Sequence, residues 1–514
     1  MSEHYPAGFA APLTRGVSGE ARTTGAFALR PLSEPLWRAE DLGRPMPDSV
    51  HAVSVALPRW QDVVGYEEKR PAVMTKLAGG YPRFVIHPLV QEMARTLGQG
   101  KPALPFPSAR AAASAAAFVR QAGSAGAEVV ARAGWHGVVT DERGFPSLRG
   151  FWQHAGLIVS SRQAQALLAG RGAPLEDGGV RKSLREQLAG FYDCAAADVL
   201  LAPTGMAALQ AALAVVSERT AGQPTVQLGF PYVDTLKLQQ KLGPGATLLH
   251  KLDRVAADLE RLLARRSVAA CFCEIPGNPL LGSADVREVS PLLRAQGGGI
   301  PLVVDDVVAT PINTDFGPYA DLIATSLTKY IAGSGDVMGG ALICNPRSPL
   351  HAELRAIATR QHEELLWGED AAVLDAQARG FPERMAQHNR GGLLLAERLR
   401  QHPAVERVWY PRWENREAYN AVRRPAGGWG GLITFLPRRA EVTSPRIYDR
   451  LALCKGPSLG TVFTLVCPFT MLAHYAELDL AEGCGVSRYL IRISVGLEDP
   501  EELWRRLSAA LTEA

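Results

Sequence analysis

Lys329 lies in the stretch ATSLTKYIAGSGDVMGG (324–340), just after Thr328, close to Ser326 and ahead of a run of glycines. A primary amine in that setting suits a Schiff base with an aldehyde, and glycines let a ligand come near the backbone. Upstream, the apolar run IPLVVDD ends in two carboxylates, Asp305 and Asp306. Ligands of open α/β sheets bind at the carboxyl ends of strands, and an aspartate there can hold a protonated ring nitrogen. A third stretch, APTGMAALQAAL (202–213), reads as a helix start: Thr204 can cap it, and Gly205 admits close approach to free N–H groups that suit a phosphate. A fourth, CEIPGNPLLG, is a strand running into a Pro/Asn turn. Each alone reads as ordinary structure, a cap, a helix start or a turn. Together they present a partner for an aldehyde, a ring nitrogen and a phosphate, the three handles of pyridoxal phosphate. In that reading Lys329 carries the cofactor and Ser326 and Thr328 help hold its phosphate.

The elements that must position these residues alternate from about residue 180. VRKSLREQLAGFY, PTGMAALQAALAVV, VDTLKLQQKL and DVREVSPLLRAQ have helical spacing. DVLLA, TVQLGF, VAACFCEIP and IPLVVDDVV read as strands that are apolar throughout. Such strands predict a mainly parallel sheet with helices on both faces. After YLIRISV, Asp499 is expected to cap a helix with Pro500 at its first position and Glu502 completing a capping box, in a smaller α+β domain. Residues 1–45, rich in Ala, Gly, Pro and Arg, read as a partly ordered leader. The alanine-rich insertion within 101–135 predicts one or two surface helices without chemistry. The expected division is therefore 1–45, an N-terminal arm at 46–165, a cofactor-binding domain at 166–348 and a C-terminal domain at 349–514.

Composition excludes several classes. Lys plus Arg is 55 against 52 for Asp plus Glu, so no basic excess points to nucleic acid or to an anionic membrane surface. No stretch approaches the length of a membrane span, and Glu3, Glu20 and Glu34 argue against a transit peptide; the reading is a cytoplasmic enzyme. The seven cysteines form no paired motif. Cys271 and Cys273 alternate along one strand and read as core thiols, not as metal ligands or a disulfide.

The motifs resemble, in order, those of the pyridoxal-phosphate enzymes of cysteine and methionine metabolism, the trans-sulfuration enzymes. PTGMAALQAAL resembles that family's phosphate segment, and TSLTKYIAGSGDVMGG its S-x-T-K-Y segment. CEIPGNPLLGSAD, VVDDVVATP, PSLGTVFTLVCP and IRISVGLED match further family segments. HAVSVALPRWQDVVGYE, GYPRFVIH, FWQHAGLIVSSR, GFPYVDTLKL and MLAHYAELD extend the resemblance toward the long fungal-type cystathionine γ-synthases. The resemblance implies a fold type I, aminotransferase-like α/β architecture. It implies that Lys329 bears the cofactor and shuttles protons, Asp305 holds the ring nitrogen, and Tyr232 stacks on the ring and helps activate the incoming amine. Asn278 would lie near the 3-oxygen, the Gly205 and Met206 N–H groups and the Ser326 and Thr328 hydroxyls at the phosphate, and Arg492 on the substrate α-carboxylate. Ser458 and Thr464 would line the same pocket. Asp306 reads as a turn or supporting residue.

Two departures matter. The family's Tyr-x-Arg pair, which reaches the phosphate of a neighbouring subunit, has two candidate counterparts: Tyr81 with Arg83, or Arg162 without a tyrosine. Either implies a homodimer or homotetramer with sites at the interface. Phe463 stands where many cystathionine-handling relatives have a glutamate. The implied reaction is γ-replacement on an O-acyl-homoserine by cysteine, giving cystathionine. The alternatives are a lyase that releases 2-oxobutyrate, replacement by sulfide, another thiol or a carbon nucleophile, and a cofactor-binding scaffold without turnover.

Overall fold

The computed structural model describes residues 30–124, 126–172, 179–220 and 222–513; residues 1–29 of the expected leader lie outside the described residues. From residue 30 the chain runs along the C-terminal part of the protein, where Leu32 and Leu36 pack near Met46 and Cys454. Strand β1 (Pro45–Met46) pairs antiparallel with β2 (Ser54–Val55). Helix α1 (Trp60–Glu67) follows, burying Trp60, Val63, Val64 and Tyr66.

A small antiparallel sheet comes next: β3 (Ala103–Phe106), β4 (Glu128–Arg132) and β5 (Trp135–Val139), in the order β3–β5–β4. The alanine-rich stretch expected on the surface is instead one helix, α2 (Ala109–Gln121), with Ala111, Ala112, Ala115, Ala116 and Val119 buried. Ser108 caps it, its hydroxyl accepting from the Ala111 N–H at 3.1 Å. The alanines recur at helical spacing, and their small side chains let α2 join the core that holds Phe106 and Trp152. Helix α3 (Phe145–Ala155) supplies Phe151 and Trp152 to that core.

The apolar runs after residue 198 form a seven-stranded sheet. Its strands are β6 (Val199–Ala202), β7 (Thr225–Leu228), β8 (Ala246–Leu249), β9 (Cys271–Glu274), β10 (Leu302–Asp305), β11 (Leu322–Ser326) and β12 (Gly340–Cys344). The order is β6–β12–β11–β10–β9–β7–β8, parallel from β11 to β8, with β12 antiparallel to both neighbours. Both faces are covered, so alternate residues enter different cores: Cys271 and Cys273 one, Phe272 the other. All seven cysteines are free. Helix α4 (Gly205–Thr220) follows β6. The helix Gly368–Ala378, beyond the expected boundary at 348, packs on the helix Val180–Tyr192.

The C-terminal layer follows α5 (Phe381–Gln401). It holds β13 (Val405–Trp409), β14 (Leu432–Pro437), β15 (Cys454–Lys455), β16 (Leu465–Cys467) and β17 (Ile491–Ser494), in the order β13–β14–β17–β16–β15. Helix α6 (Phe469–Ala473) follows β16, and α7 (Pro500–Thr512) ends the described chain. Asp499 caps α7 through the Glu501 N–H at 2.8 Å. Glu502, expected to complete a capping box, turns to Arg505 and Arg506 instead, each at 2.7 Å. The core of this layer includes Val55, Leu57 and the buried face of α1, so the N-terminal arm is built into it. Among the described residues no helix is long and apolar enough to cross a membrane, and no cluster of side chains could hold a metal ion.

Candidate active site

Parallel strands that end together bring their last residues to one edge. Asp305 of β10 stands in register with Glu274 of β9 and with Ala324 of β11, two residues before Ser326. A cavity of about 980 Å³, open mouth included, lies there. Its floor is Lys329, Ser326, Asp305 and Gly205; Tyr232 and Asn278 line one side, and Arg492 and Ser458 from the C-terminal layer another. Tyr81 and Arg83 reach it from the N-terminal arm of the same chain.

The Lys329 amine donates to the Ser458 hydroxyl at 2.8 Å and lies 4.4 Å from the centre of the Tyr81 ring. Burial lowers its pKa; nearby Tyr81 opposes that shift without cancelling it. An amine held toward its neutral form is the form that adds to an aldehyde. Burial would raise the Tyr81 phenol, but the charges of Lys329 and Arg83 outweigh it and leave the phenol below its usual value. Tyr232 goes the other way. Burial, reinforced by Asp234 and Tyr81, holds its phenol well up even though Arg83 donates to its oxygen at 2.7 Å. Burial and neighbouring charges thus shift the two phenols in opposite directions. Arg83 is buried, ion-paired with Asp234, and donates to the Gln153 carbonyl at 2.7 Å. Asp234 in turn accepts from the Gln153 amide at 2.9 Å and lies 3.0 Å from the His154 ring.

Asp305 accepts one bond, from the Val307 N–H at 3.1 Å on Oδ1. Burial raises its pKa to about 7. Glu274, beside it, is raised well above the usual range by burial and by the like charge of Asp305, and accepts from the Tyr232 N–H at 2.9 Å. A protonated ring nitrogen against the unengaged Asp305 oxygen would relieve that crowding. Arg492 is buried with its guanidinium 4.6 Å from the Phe469 ring centre, donating to Asn278 Oδ1 at 3.2 Å and to the Ser458 carbonyl at 2.7 Å. No carboxylate of the described residues pairs with it, which leaves its charge for a substrate carboxylate.

Gly205 opens α4 directly against Ser326: a Cβ there would fall 2.6 Å from the Ser326 Cβ. Thr204 caps α4, accepting from the Ala207 N–H at 3.0 Å and so leaving the N–H groups of Gly205 and Met206 unused within the helix. This donor set, amine, buried carboxyl and glycine-opened helix start with a hydroxyl beside it, fits pyridoxal phosphate.

Several expected positions differ. Thr328 is buried and its hydroxyl is taken by the Gly339 backbone, accepting from its N–H at 3.1 Å, so it does not face the cavity. Thr464 lies outside the wall as well: its hydroxyl donates to Glu498 at 2.8 Å and accepts from the Gly496 N–H at 2.9 Å. Arg162 is engaged by Asp336 and Asp370 and does not line the cavity of its own chain, whereas Tyr81 and Arg83 do. Phe463 sits in an apolar cluster with Met46, Ala56 and Leu465, not in the wall. Asp306 faces Tyr192, whose hydroxyl donates to it at 2.9 Å. Sequence reasoning missed Glu274, Asp234, Glu67 and Phe469. Glu274 was accessible, since it ends an apolar run as Asp305 does; Glu67 and Phe469 come into the wall only through long-range packing.

Residues 178–512 match the family model described as Cys/Met metabolism PLP-dependent enzyme. The cystathionine gamma-synthase of Neurospora crassa is 32% identical, with 92% of this chain and 98% of that protein covered. The L-2-amino-4-chloropent-4-enoate dechlorinase/desaturase of Streptantibioticus cattleyicolor is 37% identical, over 89% of this chain and 95% of that protein. Among solved structures, cystathionine gamma synthase from Xanthomonas oryzae pv. oryzae in complex with cystathionine aligns with a TM-score of 0.57 at 28% identity, covering 65% of this chain and 85% of that one.

Proposed function

The chain belongs to the Cys/Met metabolism PLP-dependent enzymes, and from that premise we propose that it forms a carbon–sulfur bond: γ-replacement on an O-acyl-homoserine by cysteine, giving cystathionine and the free carboxylic acid. Pyridoxal phosphate, when bound, withdraws electrons from the substrate so that hydrogens on Cα and then Cβ become acidic. Lys329 holds the cofactor, with Asp305 at its ring nitrogen and Gly205, Met206 and Ser326 at its phosphate. Arg492 grips the α-carboxylate through its unpaired guanidinium and fixes which hydrogen faces the lysine. The Lys329 amine, held toward neutrality by burial, then takes and returns the Cα and Cβ protons. Tyr81, whose ring centre lies 4.4 Å from that amine and whose phenol has a lowered pKa, takes the proton from the incoming substrate amine as the phenolate. The observation that carries the reading is this convergence of Lys329, Tyr81, Asp305 and Arg492 on one cavity.

The test is product analysis by mass spectrometry. Holoenzyme is incubated with O-acetyl- or O-succinyl-homoserine, with and without cysteine. Cystathionine that appears only with cysteine supports the reading and identifies the acyl group. Release of 2-oxobutyrate alone, whether or not cysteine is present, supports a lyase instead. The 37% identity to a dechlorinase/desaturase favours a second reading, a related elimination or replacement on another γ-substituted amino acid.

A further inference from the structure

Three carboxyl groups line the cavity: Asp305, Glu274 and Glu67. The first two end adjacent strands and accept backbone N–H bonds from Val307 and Tyr232. Glu67 comes from the N-terminal arm, at the C-terminal end of α1 beside Tyr66. Its carboxyl group has no hydrogen bond and no ion pair among the described residues. The nearby cations are spent elsewhere. Lys69 donates to the Tyr66 carbonyl at 3.1 Å and lies over the Tyr66 ring, and Lys237 pairs with Glu477 at 3.4 Å. Burial raises the Glu67 pKa to about 7, the mark of a carboxylate poorly solvated and poorly compensated.

A replacement by an amino-acid nucleophile brings a second ammonium into this cavity. The ammonium must lose water on entry, and that loss is compensated only by an anion with free lone pairs. Asp305 and Glu274 share the strand-end edge, where Asp305 would hold the cofactor's ring nitrogen. We propose that Glu67 receives the ammonium group of the second, thiol-bearing amino acid and so selects cysteine over thiols that lack an amine. The proposal rests on the γ-replacement reading above. It makes α1, part of the N-terminal arm, a determinant of specificity. The docked cation would in turn hold Glu67 ionised at neutral pH.

The test compares wild-type holoenzyme with the Glu67→Gln variant at saturating O-acyl-homoserine. The varied nucleophile is either cysteine or 3-mercaptopropionate, which has the same thiol and carboxylate but no amine. The expected result is a rise of about tenfold or more in KM for cysteine, an unchanged KM for 3-mercaptopropionate and an unchanged KM for O-acyl-homoserine. An unchanged KM for cysteine, or an equal rise for both thiols, overturns the proposal while the γ-replacement reading stands. A wild-type enzyme that makes no thioether from cysteine overturns that reading and the assignment of Glu67 with it. Glu67→Ala should match Glu67→Gln in losing the preference for cysteine; retention of the preference by either variant counts against the proposal.

Discussion

At the scale of single residues, burial decides most of the chemistry. Asp305 has a folded-state pKa of about 7 against an ordinary 3.8. Between those values the folded, cofactor-free protein keeps a proton that the unfolded chain has released, so this group's contribution to stability falls as pH rises from about 4 to 7. Cofactor-free Asp305→Asn should lose part of that fall, seen as a smaller difference between denaturant midpoints at pH 4.5 and pH 7.5; an unchanged difference would contradict the assignment. The phenols differ in the same terms. Tyr81→Phe should keep the cofactor's absorbance and slow turnover by about 10² or more, and Tyr232→Phe should slow it less. A larger loss at Tyr232 would return the proton-accepting role to that residue. The convergence of Lys329, Asp305 and Gly205 on one cavity was legible in the sequence because each sits in a short motif at a strand end or helix start; Arg492, inside β17, was reached only through the family resemblance. Thr328 and Thr464 were not: whether a hydroxyl faces a ligand or the backbone depends on a side-chain rotation that motif spacing does not encode.

At the scale of elements, the apolar strands and their order in the chain announced the parallel sheet, since strands buried on both faces have little room for polar residues. The alanine-rich helix misled because alanine carries no surface or core preference in its chemistry. Its period, with Ala111, Ala112, Ala115 and Ala116 on one side, was the better guide than its composition. Ala115→Leu should therefore cost about 1–3 kcal/mol by overpacking, while the same change at exposed Ala113 should cost little, measured by thermal or denaturant unfolding. Equal effects at the two positions would mean that the helix does not pack as described. On β15, Lys455 is wholly buried, donating to the carbonyls of Pro58 and Asp449 at 2.9 and 3.0 Å. Burial lowers its pKa from 10.5 to about 7. The unfolded chain thus takes up a proton first as pH falls, and stability should decline from about pH 10.5 to 7. Lys455→Met should flatten that part of the profile; a profile as steep as wild type would refute the buried amine's role in it.

At the scale of the whole molecule, three regions distant in the sequence meet at one cavity: the N-terminal arm with Glu67, Tyr81 and Arg83, the strand ends with Asp305 and Lys329, and the C-terminal layer with Ser458 and Arg492. No local pattern reveals that the centre of the Tyr81 ring lies 4.4 Å from the amine of its own chain. The family resemblance implies that the Tyr81 and Arg83 pair reaches the phosphate of a neighbouring subunit; within one chain it lines that chain's own cavity. Same-chain placement has a consequence for mixed assemblies. When Lys329→Ala and Tyr81→Phe chains carrying different tags are co-expressed and purified through both tags, activity should not exceed that of the parents. Recovery of activity would show that the arm reaches a neighbouring subunit's site.

In the proposed reaction one lysine moves protons at Cα and then Cβ so that the γ-substituent departs and a thiolate replaces it. The most direct measurement is turnover of O-acyl-homoserine with cysteine in deuterium oxide, followed by mass spectrometry and NMR of the thioether product. The proposed reaction leaves deuterium at both Cα and Cβ of the homoserine-derived half. A product with its Cβ hydrogens undisturbed would mean direct displacement at Cγ, and would contradict it.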